Sequence, residues 1–281
     1  MRKYCLSLLL LFLTLVSNAV EPPKREIRGV WLTTVYGLDW PHNPATTETG
    51  RKAQQRDVCD ILDRLQDANF NTVFLQVRMR GDVIWRSAIE PASKTFSGKY
   101  GMMPGYDPLA FVVDECHKRG MECHAWFVTF LLGTDKSVKE QGKLSVVRRQ
   151  PKLCKRHNGE WYLDPGVPGT SDYVLSLVKE LVNGYDIDGI HFDYIRYPEQ
   201  AKSFPDKNLY NKYGKKRPLA EWRRENINKM VYRIYDWVKS VKPWIQVSSS
   251  PLGKYNRIER VPNAGWTAYE SVFQDPKMWM Q

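Results

Sequence analysis

Five apolar segments of strand length alternate with five helical patterns along the 281 residues. Short loops lead from helix to strand, while long, aromatic-rich loops lead from strand to helix. There is no cysteine framework, internal repeat or low-complexity tract. These observations predict an α/β fold of parallel strands with helical crossovers: a (β/α)8 TIM barrel, apparently truncated after about five to six βα units. The loop asymmetry fits a barrel, whose active face is built from strand-to-helix loops. An open doubly wound sheet is the alternative. A dinucleotide site is unsupported, because no Gly-rich turn follows the first strand.

The first strand is predicted at residues 27–34 (IRGVWLTT), running into the aromatic turn 36–41. Residues 56–68 place Val58, Ile61, Leu62 and Leu65 at helical spacing. Residues 72–78 (TVFLQVR) form the second strand, and Gly81, Pro91, Gly98, Gly101 and Pro104 punctuate the loop after it. A helix at 108–119 has Asp107 as cap, Pro108 in its first turn and Gly120 beyond its end. The third strand is 121–128 (MECHAWFV), followed by a long loop that carries Trp161-Tyr-Leu-Asp-Pro165. A helix at 171–182, capped by Thr170 or Ser171, leads into the fourth strand within 188–198 (DGIHFDYIRYP). A helix at 220–241 and a fifth strand at 245–250 (IQVSSS) complete the pattern, and 271–281 reads as the start of one more helix. About thirty residues follow the fifth strand, too few for three further units of roughly thirty residues each.

Arg2 and Lys3, an apolar run from Leu6 to Val16 and Ser17-Asn18-Ala19 give the order of a secretory signal peptide. The expected division is therefore a signal peptide at 1–19, a spacer at 20–26 and the N-terminal part of a barrel at 27–281. Export to the periplasm, cell surface or exterior follows, with no stable membrane insertion after cleavage. The chain carries 42 basic and 31 acidic residues, and the leader holds two of the basic ones and none of the acidic ones. The surplus favours anionic partners. The basic residues are scattered, however, and no nucleic-acid-binding signature is present, so no nucleic-acid partner is expected. Cys59, Cys116, Cys123 and Cys154 lack metal-ligand spacing and read as buried thiols. No metal or other cofactor is called for.

Alternation along the strands brings polar groups together. Phe74, Gln76 and Arg78 share a face of the second strand, His124, Trp126 and Val128 one of the third, and His191, Asp193 and Ile195 one of the fourth. Barrel interiors favour branched apolar side chains, so this coincidence points to a site near the strands' C-terminal ends. Sugar hydrolysis needs one carboxylate at the anomeric centre and a second carboxyl group to protonate the leaving oxygen. Asp193 is the candidate for the first role. Arg78 and His191 are placed to hold it ionised, and Gln76 and His124 to bond sugar hydroxyls. Trp126, Tyr36, Trp40 and Trp161 offer flat faces for a pyranose ring. The alternative is that Asp193 pairs with Arg196 or another arginine and only braces the loop. No second carboxylate is evident; Glu90, Asp164, Glu199 and Glu270 are possible, with Asp39 and Asp82 as looser options.

The segments 25–34 with Asp39-Trp40-Pro41, 71–82 (NTVFLQVRMRGD), 104–127 and 188–198 (DGIHFDYIRYP) resemble the glycosyl-hydrolase-ten-like family of secreted bacterial TIM-barrel proteins. The resemblance covers nearly the whole chain after the leader. It implies a (β/α)8 barrel, glycoside hydrolysis with cell-wall glycans among the substrates, and Asp193 as the catalytic position. From the strand faces and the flanking loops, the expected substrate-binding residues are Gln76, Arg78, His124, Trp126, His191, Arg196, Tyr36 and Trp40. The family has Gln-Val-Arg-Pro where this chain has Gln76-Val-Arg-Met79. Relatives continue beyond the segment matching Gln274 to Lys277, where the second carboxylate is expected. The alternative function is a non-catalytic carbohydrate-binding or cell-wall-binding protein, or an inactive fragment.

Overall fold

Strand β1 (Gly29–Leu32) starts a sheet that every later crossover extends in one direction. The computed structural model describes residues 26–281 except 200, 215, 259 and 262–264. The predicted leader, 1–19, and all but the last residue of the spacer lie outside these. Helix α1 (Glu48–Asp67) follows β1; the Thr47 side chain caps it by accepting from the Gly50 N–H. It begins about two turns ahead of the predicted start. Residues 48–55 are mostly polar, and their helix is set by the cap, with no apolar stripe to announce it.

Strand β2 (Thr72–Met79) pairs with a short β3 (Asp82–Val83) that folds back on its end. Helix α2 (Lys94–Ser97) lies in the following loop. Helix α3 (Pro108–Lys118) is capped by Asp107, which accepts from the Ala110 N–H, and leads into β4 (Glu122–Val128). The long loop after β4 has structure the sequence pattern does not reveal. It contains β5 (Leu131–Thr134), α4 (Asp135–Gln141), α5 (Val146–Arg149), β6 (Cys154–His157) and β7 (Glu160–Leu163). The three strands form a small antiparallel sheet in the order β5-β7-β6.

Helix α6 (Pro168–Gly184) starts at Pro168, ahead of the predicted caps, because proline's fixed φ suits a first turn. Strand β8 (Gly189–Asp193), α7 (Lys207–Tyr213), α8 (Leu219–Val241) and β9 (Gln246–Ser249) follow. Two short helices, α9 (Ala268–Ser271) and α10 (Pro276–Trp279), end the chain.

The main sheet runs β1-β2-β4-β8-β9 with every neighbouring pair parallel. These are the five predicted strands in the predicted order, a partial (β/α) barrel. Its outer face carries Val73, Leu75, Ala125, Phe127, Ile190 and Phe192, all buried in one core with Val58 and Leu62 of α1, Val112 of α3, Val178 of α6 and Ile234 of α8. Each of these side chains larger than alanine contributes roughly 1.5–3 kcal/mol by leaving water. The inner face is different: Trp31 stacks on Phe74 at 4.6 Å, and His191 and His124 meet the Phe74 ring at 4.9 and 5.0 Å.

Two departures from simple alternation matter for function. Gln76 pairs with Trp126 but Arg78 pairs with Phe127, so two residues of β2 oppose one of β4. A one-residue slip turns the following side chain to the other face. Arg78 therefore leaves the inner face, and its guanidinium lies over the outward Phe127 ring at 5.0 Å. At the end of β8, Tyr194 has φ of 48°. Ile195 consequently does not share the Asp193 face and is buried in the core with Phe192.

No helix among the described residues is long and apolar enough to cross a membrane. Among them there is also no group of three or more His, Cys, Asp or Glu able to hold a metal ion.

Candidate active site

Asp193 ends β8 on the inner face, opposite Val128 in the register of β4 and β8. Its main-chain carbonyl accepts from Thr129 N–H at 2.8 Å and from Thr129 Oγ1 at 3.0 Å, which ties the ends of the two strands together. The left-handed backbone of Tyr194, unusual for a non-glycine residue, turns its N–H back onto the Asp193 side chain. That N–H donates to Oδ1 at 2.8 Å, and Ser250 Oγ, just past β9, donates to the same oxygen at 2.9 Å. Trp126 Nε1, from β4, donates to Oδ2 at 3.1 Å. Three adjacent strands thus fix one half-buried carboxylate at their C-terminal ends.

The bracing pair with Arg196 does not form. Arg196 instead pairs with Glu199 at 3.0 Å, with its guanidinium 4.6 Å from the centre of the Tyr194 ring. It thus stands on the loop beside Asp193, as part of the rim.

His191 lies one row below Asp193, level with Trp126. Its Nδ1 meets Ser248 Oγ at 2.8 Å, and its buried Nε2 has no hydrogen-bond partner among the described residues. Burial lowers its pKa to about 4, against the opposing pull of Asp193. The imidazole is therefore neutral near pH 7 and does not supply a positive charge to the carboxylate.

Four predicted contacts need correction. Arg78 does not face Asp193; it is fully buried, donates to both Glu90 oxygens at 2.7 Å, and also donates to the Val128 and Thr129 carbonyls. The β2 bulge is the cause. Gln76 is on the inner face but buried, and its Oε1 accepts from the Thr34 and Val35 N–H groups at 3.1 and 2.8 Å. It shapes the loop after β1. His124 is fully buried near the N-terminal end of β4, held by Glu122 at 3.0 Å, far down the strand from the Asp193 row. Trp40 is fully buried, donating to the Gln54 carbonyl at 2.8 Å and packing edge-on to Phe96, so it presents no face to a ligand.

Trp126 remains half-buried beside Asp193, and Tyr36 is 67 % exposed beyond β1, with the Arg80 guanidinium 4.8 Å from its ring centre. Trp161 is half-buried and donates to Asp135 at 2.8 Å.

The carboxylates offered as partners also separate. Glu90 is consumed by Arg78. Asp164 is fully buried, and burial lifts its pKa to about 6. Asp82 is buried as well, lifted to about 7 by the same cause. Asp39 accepts from the Thr33 N–H at 2.8 Å. Glu270 lies on α9, exposed. Glu199 stands on the Asp193 loop, and Glu160 of β7 accepts from Tyr162 Oη at 2.7 Å. Burial first, and then the nearby Glu160 and Glu199, disfavour ionisation of the Tyr162 hydroxyl, with Tyr194 beside them.

Ser248, Ser250, Thr129 and Tyr194 are the site residues that sequence reading missed. The alternation of Ser248 and Ser250 in IQVSSS was a usable signal, because it places two hydroxyls on the inner face of the fifth strand. Nothing local marks the positive φ of Tyr194.

A family model described as "Glycosyl hydrolase-like 10" matches residues 26–281. Glycosyl hydrolase DigH of Escherichia coli K12 is 35 % identical over 280 residues, spanning 93 % of this chain and 64 % of that protein. Glycosyl hydrolase YngK of Bacillus subtilis 168 is 33 % identical over 269 residues, spanning 92 % of this chain and 52 % of that one. The chain thus covers less than two thirds of the length of either relative. Among solved structures, α-L-fucosidase isoenzyme 2 of Paenibacillus thiaminolyticus superposes with a TM-score of 0.56 at 17 % identity, covering 83 % of this chain and 33 % of that one. A hypothetical protein from Ruminiclostridium thermocellum gives 0.50 at 18 % identity, covering 79 % and 96 %. At these identities the structural likeness bears on the fold alone.

Proposed function

This chain belongs to the glycosyl hydrolase-like 10 family, and from that premise we propose that it is an exported glycoside hydrolase, or the N-terminal portion of one. Its substrate in this reading is a polysaccharide, a bacterial cell-wall glycan first among the candidates, cleaved at O-glycosidic bonds with Asp193 as the essential carboxylate. What supports the reading is the Asp193 carboxylate itself: fixed by three donors at the C-terminal end of a parallel strand, beside Trp126 and the Tyr194–Arg196–Glu199 rim. In a barrel, groups at that end of a strand face the substrate. Cleavage builds positive charge at the anomeric carbon, which a fixed carboxylate stabilises, while a second carboxyl group protonates the departing oxygen. Tyr194 and Trp126 supply aromatic surface beside it.

The test is product release from peptidoglycan glycan strands and from other polysaccharides, wild type beside Asp193→Asn. A loss of about a hundredfold or more in the variant is expected. Equal release by both proteins removes Asp193 from the mechanism. Binding to the glycan without release by either favours a carbohydrate-binding role instead.

A further inference from the structure

The two oxygens of Asp193 are not equivalent. An ionised carboxylate offers about two acceptor sites on each oxygen. Oδ1 accepts from the Tyr194 N–H and from Ser250 Oγ, which fills it. Oδ2 accepts from Trp126 Nε1, leaving one site open among the described residues. A backbone N–H and an indole N–H donate and cannot accept. All three partners donate here, and such bonds are stronger to a charged carboxylate than to a neutral carboxyl, so the shell suits the acceptor-only ion.

Resting on the reading of Asp193 as the essential carboxylate, we propose that Oδ2 is the oxygen that faces the anomeric carbon, in the ionised state, and that Ser250 and Trp126 are positioning residues for it. Ser250 and the Tyr194 N–H clamp Oδ1 from one side, which sets the rotation of the carboxylate plane. Trp126 then aims Oδ2, and its indole serves the carboxylate first and the sugar second.

The first test needs no substrate. With 13C-carboxyl-labelled aspartate, the Asp193 signal is assigned by its absence from Asp193→Asn, and its titration is compared between wild type and Ser250→Ala. Removing a donor to the charged form is expected to move the titration up by about one pH unit, with Ser250→Thr, which keeps a hydroxyl, restoring it. An unchanged midpoint in Ser250→Ala overturns the positioning role. The second test splits kcat from KM on peptidoglycan glycan strands. Both Ser250→Ala and Trp126→Phe are expected to lower kcat about ten- to a hundredfold with KM within about twofold. A Trp126→Phe effect confined to KM makes that residue a sugar platform and overturns its assignment. A shifted titration together with wild-type release by Asp193→Asn keeps the positioning and ends the catalytic reading, so the two failures are distinguishable.

Discussion

Asp164 closes the small antiparallel sheet and starts the turn into α6. Its Oδ1 accepts from the Gly166 N–H at 2.9 Å, while its buried Oδ2 has no hydrogen-bond partner among the described residues. Burial, reinforced by Asp206, raises its pKa to about 6 from an ordinary 3.8. The folded state therefore holds the proton more tightly than the unfolded chain. Its contribution to stability is full below pH 3.8, falls as pH rises to about 6, and then levels, a swing of roughly 3 kcal/mol. His191 runs the other way: with its pKa lowered to about 4, folding loses stability as pH falls from 6.5 toward 4. The two partly cancel in whole-protein melts, so the difference between wild type and Asp164→Asn is the informative quantity. Denaturant unfolding at several pH values is expected to show the wild type losing stability relative to the variant from pH 4 to 6. A difference that does not vary with pH contradicts the assignment.

At the scale of elements, the bulge in β2 governs what the barrel interior contains. It sends Arg78 to the outer face, where both ends of the Arg78–Glu90 pair are fully buried and Tyr173 Oη adds a bond to Glu90 at 2.9 Å. Burying two charges is costly, and the return comes from complete pairing. Glu90→Gln leaves the Arg78 charge in the core without its counter-ion and is expected to cost about 3–5 kcal/mol in urea unfolding. The double change Arg78→Met with Glu90→Leu is expected to cost less than the single one. If the single change is the milder, the pair is not what holds this corner. At the opposite ends of the strands Gly189 is glycine because a Cβ there would lie 2.4 Å from the His124 ring, so the inner face closes only over a hydrogen.

At the scale of the molecule, the five parallel strands of the described residues place β1 and β9 at the two edges of their sheet. Trp31 lies on the inner face of the β1 edge and is 48 % exposed although stacked on Phe74. At the other edge β9 is half-buried along its whole length, and Tyr235 and Met280 are exposed nearby. Unpaired edges and open apolar faces invite association. A polypeptide of these 281 residues is expected to self-associate or to need solubilising partners in size-exclusion chromatography with light scattering. A monodisperse monomer that melts cooperatively refutes this.

The order and direction of the five strands could be read from the sequence, because buried parallel strands are continuous apolar runs and their crossovers carry a helical stripe. Asp193 was legible for the same reason: a carboxylate stands out at the end of an apolar strand. The chain's own residues 154–163 hid their hairpin, since CKRHNGEWYL has little apolar run or clean alternation to announce it. Which neighbours Asp193 would have was decided in three dimensions. Alternation predicts faces only while the register holds, and it breaks at the β2 bulge for Arg78 and at Tyr194 for Ile195. Burial likewise depends on what packs from elsewhere, which removed Trp40 and His124 from the surface. The sequence thus determined the sheet and its one conspicuous carboxylate. Tertiary contact chose Ser250 and Trp126 to hold it, because hydrogen bonds between strands far apart in the chain follow from register, while the Tyr194 N–H reaches it through a local positive φ that no pattern marks.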